Sequence, residues 1–134
     1  MTLYALLMRY MGIDYGAKRV GIAISDEKGI IAFPHSVIGN DETLIAKIGA
    51  IAAEKQIETI ILGDTRTERG AANPITPEAE NFARKIKEIL KIPVQSVFEA
   101  WSSMAVSADA QKNKHDDSMA AAFILQRYLD MKRL

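Results

Sequence analysis

None of the 134 residues is a cysteine, which excludes disulfides and thiolate metal sites and suits a reducing cytosol. The two histidines, His35 and His115, stand far apart, so a clustered imidazole site is missing as well. Net charge is also missing, because seventeen Lys and Arg balance seventeen Asp and Glu; a polyanionic partner would have to be met by a local basic patch. No apolar run is long enough to span a membrane. Met1 to Leu7 are apolar, but they lack a basic leading region and meet Arg9 too early for a signal peptide. Repeats, low-complexity runs and any sign of a second domain are absent. The composition that remains, 49% hydrophobic and 25% charged, is that of an ordinary globular protein with a real core. The expectation is one domain over residues 1–134, soluble and cytoplasmic with no membrane partner. Residues 1–7 are expected to be a non-core extension ahead of Met8, a plausible native start.

The chain opens with alternating residues. Residues 8–14 read as a strand with Tyr10, Gly12 and Asp14 on one face and Arg9, Met11 and Ile13 on the other; Gly12 is expected to clear space beside Asp14. A Gly-containing turn leads into a second strand, in which bulky Val20, Ile22 and Ile24 share one face while Gly21, Ala23 and Ser25 share a face that admits a close neighbour. The turn Asp26 to Gly29 precedes a third strand, Ile30 to Phe33, expected to stop at Pro34. Three strands joined by short turns predict an antiparallel meander.

Helices then alternate with strands. Asn40-Asp41 offers an N-cap, and Leu44, Ile45, Ile48, Ile51 and Ala52 form one apolar stripe of a helix running to about Gln56. Thr59 to Leu62 is a short apolar strand of the kind covered on both faces. After a polar loop from Asp64 to Pro74, Thr76-Pro77-Glu78 restarts a helix whose expected buried stripe is Ala79, Phe82, Ala83, Ile86, Ile89 and Leu90. Pro93 to Val97 reads as the fifth strand, with Glu99 just past its end. An Ala-rich stretch after Trp101 is expected to be helical. The last helix begins around His115 to Ser118, and Asp117 lies in line with Ala121, Ile124 and Tyr128, facing the sheet. The fold class is therefore α/β, a central mixed five-stranded sheet of a meander plus parallel strands, flanked by helices.

Asp14, Glu99 and Asp117 come from three different elements that this topology brings to one edge of the sheet. Sites in open α/β sheets are built at the carboxyl ends of parallel strands. Oxygen ligands without Cys or clustered His select a hard cation, Mg²⁺ or Mn²⁺, and such sites usually serve phosphoryl transfer. The other reading, three unrelated solvated acids, stays open at this point.

Gly12 to Asp26, GIDYGAKRVGIAISD, resembles the N-terminal motif of the YqgF/RuvX family, whose members are described as Holliday junction resolvases and as pre-16S rRNA nucleases. Asp117 to Leu129 is similar to the family's last helix, and Val97-Phe98-Glu99 with Ser102-Ser103 to its segment around the acid after the final strand. The resemblance runs from Met8 over nearly the whole chain. It implies an RNase H-like fold and a metal-dependent nuclease using Mg²⁺ or Mn²⁺, with Asp14, Glu99 and Asp117 as its acids. It also implies contacts from Lys18, Arg19 and Ser102 to nucleic acid, either structured RNA such as an rRNA precursor or branched DNA.

The sequence departs from the family in three places: the surroundings of Glu99, a short loop from Ser107 to Lys114, and Asp64-Thr65-Arg66 in place of a more apolar loop opening after Gly63. Phe98 and Ala100 flank Glu99 where the family usually reads Asp-Glu-Arg, so a cation is missing there; Arg66 or Arg69 of the polar loop could replace it. Two further readings come from other classes: an actin-like ATPase or sugar kinase, which would need a second domain, and a non-catalytic RNase H-like binding module. With no long apolar dimer helix in view, a monomer cutting single strands or RNA ends is expected ahead of a dimer resolving junctions.

Overall fold

The computed structural model describes residues 8–64, 76–98 and 117–133. Its elements are β1 (Arg9–Tyr15), β2 (Arg19–Ser25), β3 (Ala32–Gly39), α1 (Leu44–Lys55), β4 (Ile57–Asp64), α2 (Thr76–Leu90), β5 (Val94–Phe98) and α3 (Asp117–Lys132). They build one five-stranded sheet in the order β3-β2-β1-β4-β5. The first three strands pair antiparallel, whereas β4 runs parallel to both β1 and β5, as the meander followed by crossovers required. The carboxyl ends of β1, β4 and β5 consequently share one edge.

The two faces of β1 and β2 carry different side chains and receive different helices. On one face Met11, Ile13, Val20, Ile22 and Ile24 pack with Leu44, Ile48 and Ala52 of α1 and with Phe82 and Ile86 of α2. Burying one such Ile contributes about 1.5–3 kcal/mol, so this layer supplies much of the driving force for folding. On the other face Tyr10, Ala23, Ile61 and Val97 pack with Ala121, Ile124, Leu125 and Leu129 of α3. A Cβ on Gly12 would stand 2.7 Å from Leu125 Cβ and 2.8 Å from the Ala121 carbonyl, so Gly12 makes room for α3, not for Asp14 as expected.

Three other expectations are corrected. The third strand does not stop at Pro34 but continues to Gly39, with a bulge that lets Ala23 pair with Pro34 and Ile22 with Ser36. Proline is tolerated because β3 is an edge strand and its outward N–H has no ladder partner to lose. Helix α1 starts at Leu44, later than the Asn40-Asp41 cap predicts, although Asp41 Oδ1 does make a cap-type bond ahead of it, accepting from the N–H (2.8 Å) and hydroxyl (2.5 Å) of Thr43. Ile89 is 60% exposed, so the stripe of α2 closes on Ile86 and half-buried Leu90. The predicted helix after Trp101, and residues 1–7, lie outside the described residues.

Side-chain bonds fasten α3 to the meander. Gln126 Oε1 accepts from the Ala32 N–H and Gln126 Nε2 donates to the Ile30 carbonyl, both at 2.9 Å. Lys132 Nζ lies 4.4 Å from the centroid of the Tyr10 ring and donates to its hydroxyl.

Candidate metal centre

Asp14 is the penultimate residue of β1 and pairs directly with Gly21 of β2. Alternation places both on the α3 face, at the edge where the parallel strands end. The start of α3 is seated on Gly21: a Cβ there would lie 1.9 Å from the Asp117 carbonyl oxygen and 2.9 Å from Asp117 Cβ. No residue but glycine leaves that space. Since directly opposed residues on antiparallel strands hold their Cβ positions about 4.5–5.5 Å apart, the Asp14 and Asp117 Cβ atoms are within roughly 8.5 Å of one another. That is within reach of two carboxylates sharing one hard cation. Both carboxylates are half-buried, and Asp117 stands in the first turn of α3, where the helix dipole favours negative charge.

Of the three acids singled out from the sequence, Asp14 and Asp117 thus stand at one edge of the sheet. Glu99, the third expected acid, follows directly on Phe98 at the end of β5 and lies outside the described residues, as do Arg66, Arg69 and Ser102. Among the described residues no group of three Asp, Glu or His side chains forms a metal cage. The described donors near the Gly21 seat, the carboxylates of Asp14 and Asp117, are oxygen ligands of the kind a hard divalent ion takes and a soft one does not.

Two cations flank this edge. Lys18 is exposed in the β1–β2 turn, which is tied down by bonds from the Asn40 N–H to the Lys18 carbonyl (2.9 Å) and from Asn40 Nδ2 to the Gly16 carbonyl (2.8 Å). Arg19 opens β2, with its Nε 3.5 Å from Asp117 Oδ2. Sequence reasoning singled out Arg19 for nucleic acid but missed its pairing with Asp117, because the two are far apart in the chain and no local pattern joins them.

A cavity of about 460 Å³ opens at the same edge on the opposite face, between the starts of α1 and α2, over Tyr15 and Phe82. Asp41, Glu42 and Glu78 line it against a single Lys85. The Thr43 hydroxyl and N–H hold the Asp41 carboxyl below the usual carboxylate range, so the rim stays negative and is ill suited to a phosphate backbone. The α3 face carries Arg19, beside Asp117, with exposed Lys18 in the turn just before β2.

A Geobacillus kaustophilus protein named as a candidate pre-16S rRNA nuclease is 36% identical over 94% of this chain and 100% of its own length. A relative of the same name from Syntrophomonas wolfei is 37% identical over 92% of this chain and 94% of its own. Among solved structures, Thermus thermophilus RuvC in complex with a Holliday junction substrate superposes with a TM-score of 0.62 at 13% identity, over 94% of this chain and 96% of that one. The fowlpox virus Holliday junction resolvase gives 0.53 at 14%, over 95% and 100%. At such identities the likeness is one of fold, the RNase H-like architecture that the strand order displays. The family model described as "RuvX: Holliday junction resolvase" matches residues 8–131, nearly everything from the first strand through the last helix, and the chain belongs to that family.

Proposed function

We propose that this chain is a metal-dependent nuclease that hydrolyses phosphodiester bonds, acting on an rRNA precursor of the kind its relatives are named for. The observation that carries the reading is the seating of Asp117 on Gly21, beside Asp14, at the carboxyl edge of the parallel strands. Asp14, Asp117 and Glu99 would hold the ion, Mg²⁺ or Mn²⁺. Such an ion supplies, when bound, Lewis-acid polarisation of the phosphodiester and easier deprotonation of the attacking water. The chain's own residues do the rest. The two strands and α3 fix the carboxylates before substrate arrives, so little reorganisation is needed. Lys18 and Arg19 bind and orient the phosphates, helped by Arg66, Arg69 and Ser102.

A patch this small implies modest, weakly salt-dependent affinity, since each neutralised phosphate adds only about 0.7–0.9 to the logarithmic salt slope. Single-strand or RNA-end cleavage by a monomer is the preferred mode. The test is hydrolysis of a panel of single-stranded RNA, duplex and four-way-junction substrates, with and without Mn²⁺, with Asp14→Asn alongside. Mn²⁺-dependent cleavage of single-stranded RNA that Asp14→Asn abolishes is expected. Absence of hydrolysis across the panel would overturn the reading, and paired symmetric incisions of the junction by a dimer would replace RNA with branched DNA as the substrate.

A further inference from the structure

Arg19 stands between two demands that cannot both be met. Its backbone is locked into β2 by pairing with Gly39, while its side chain is 47% exposed and places Nε 3.5 Å from Asp117 Oδ2. The Asp117 side chain is itself only 25% exposed. The guanidinium therefore neutralises the same carboxylate that a divalent ion would use. An ion held by Asp117 would sit beside that guanidinium, and two cations at such range repel. A phosphate, by contrast, is what the planar fork of an arginine matches best.

We propose that Arg19 is an exchangeable counter-ion of Asp117. Before loading, it balances the acid pair. When metal is held, Arg19 leaves Asp117 and turns onto the incoming phosphodiester strand, so that metal and strand each favour binding of the other. This deepens the metal-nuclease reading and rests on it. The coupling must be reciprocal, because a strand that draws Arg19 away frees Asp117 for metal by the same factor that metal frees Arg19 for the strand. Its size follows from the exposure of the pair: a half-solvated ion pair is easily given up, which limits the effect to about two- to fivefold in affinity. The exchange is confined to the side chain, since Gly39 and the turn bonds of Asn40 hold the backbone on either side. Lys18 lies exposed in the turn before β2, outside the Arg19–Asp117 pair, and serves as the matched control for a general loss of positive charge.

The experiment measures Mn²⁺ affinity of the full chain by electron paramagnetic resonance of the free ion. It is run with and without a phosphorothioate single-stranded oligonucleotide, which keeps the backbone charge and resists hydrolysis. For the unaltered protein the strand should tighten Mn²⁺ binding about two- to fivefold. Arg19→Gln should bind Mn²⁺ tighter by about the same factor without the strand and gain nothing further from it. Arg19→Lys should retain part of the coupling, and Lys18→Gln should shift the metal affinity less than Arg19→Gln does. If Arg19→Gln binds Mn²⁺ no better than the unaltered protein, or Lys18→Gln matches it, the counter-ion role is overturned while the metal site stands. If neither protein binds Mn²⁺ at millimolar concentration, the metal-nuclease reading falls, and this inference with it.

Discussion

Replacing Gly21 by alanine tests the architecture of the site with a single methyl group. Two effects oppose each other. Glycine inside a strand costs about 0.5–1 kcal/mol relative to alanine, so on backbone grounds Gly21→Ala should stabilise the protein. Against that, the new Cβ would stand 1.9 Å from the Asp117 carbonyl oxygen and 2.3 Å from its carbon, both backbone atoms that no rotamer change can move. Restoring an ordinary contact requires the first turn of α3 to lift by about 1.5 Å. Overpacking of this kind costs about 1–3 kcal/mol, so after the backbone gain the net loss reaches about 2.5 kcal/mol and should lower Tm by up to about 9 °C. The lift also carries Asp117 away from Asp14, and a misplacement near 1 Å is enough to cost about a hundredfold in rate. The assay is thermal unfolding together with Mn²⁺-dependent RNA hydrolysis, using Gly39→Ala as the paired control. A Cβ at Gly39 meets nothing closer than Asp41 Oδ2 at 3.7 Å, so that variant should keep both stability and activity. Equal behaviour of the two alanine variants would refute the idea that Gly21 seats the helix.

Asp14→Asn should abolish hydrolysis while leaving Tm unchanged or slightly raised, because it relieves repulsion between two neighbouring carboxylates; a cooperative unfolding curve of normal amplitude checks that the fold survives. Gln126→Ala removes both amide bonds from α3 to residues 30 and 32 and should cost about 1–3 kcal/mol in a urea titration without changing its slope. For Asp26, partial burial pushes the carboxyl up but is outweighed by the N–H groups of Ile31, Ile30 and Lys28, which hold it below the usual range. A depressed carboxyl contributes stability fully above its unfolded pKa of about 3.9 and loses it as pH falls through the lower folded value. The denaturation midpoint of the unaltered protein should therefore fall more steeply below about pH 4 than that of Asp26→Asn, and parallel curves would contradict this.

The strands of the meander were legible because their two faces differ so plainly: Ile13, Ile22 and Ile24 against Gly12, Gly21 and Ala23. That same contrast announced a close neighbour over the glycine face, although only the structure shows that it is α3, with Leu125 over Gly12 and Asp117 over Gly21. The placement of Asp14 and Asp117 at one edge followed from topology alone. What escaped was decided by long-range geometry. Pro34 reads locally as a strand stop, yet an edge position and a bulge absorb it. Asp41 does bond as a cap would, to Thr43, and only the start of the regular helix at Leu44 lies beyond what the local pattern gives. Ile89 continues the helical period, but the period of a helix outlasts the width of the surface it lies on. The ion pair of Arg19 with Asp117 depends on how α3 docks, which no local pattern records.

Among the described residues β3 is the outermost strand of the sheet, which bears on how this protein survives at high concentration. An eight-residue edge strand carrying exposed Phe33 and Val37 invites another chain to add a strand and start an aggregate. Successive alternate residues would present the donors for that addition, beginning with Ala32 and Pro34. The first N–H is already taken by Gln126 and the second does not exist. A single amide reaching over from the last helix thus imitates the strand that must not arrive, and the proline beside it leaves an intruder without a second foothold; the bulge that follows throws any remaining pairing out of step. The apolar side chains can stay on the surface because the backbone next to them has been made a poor template.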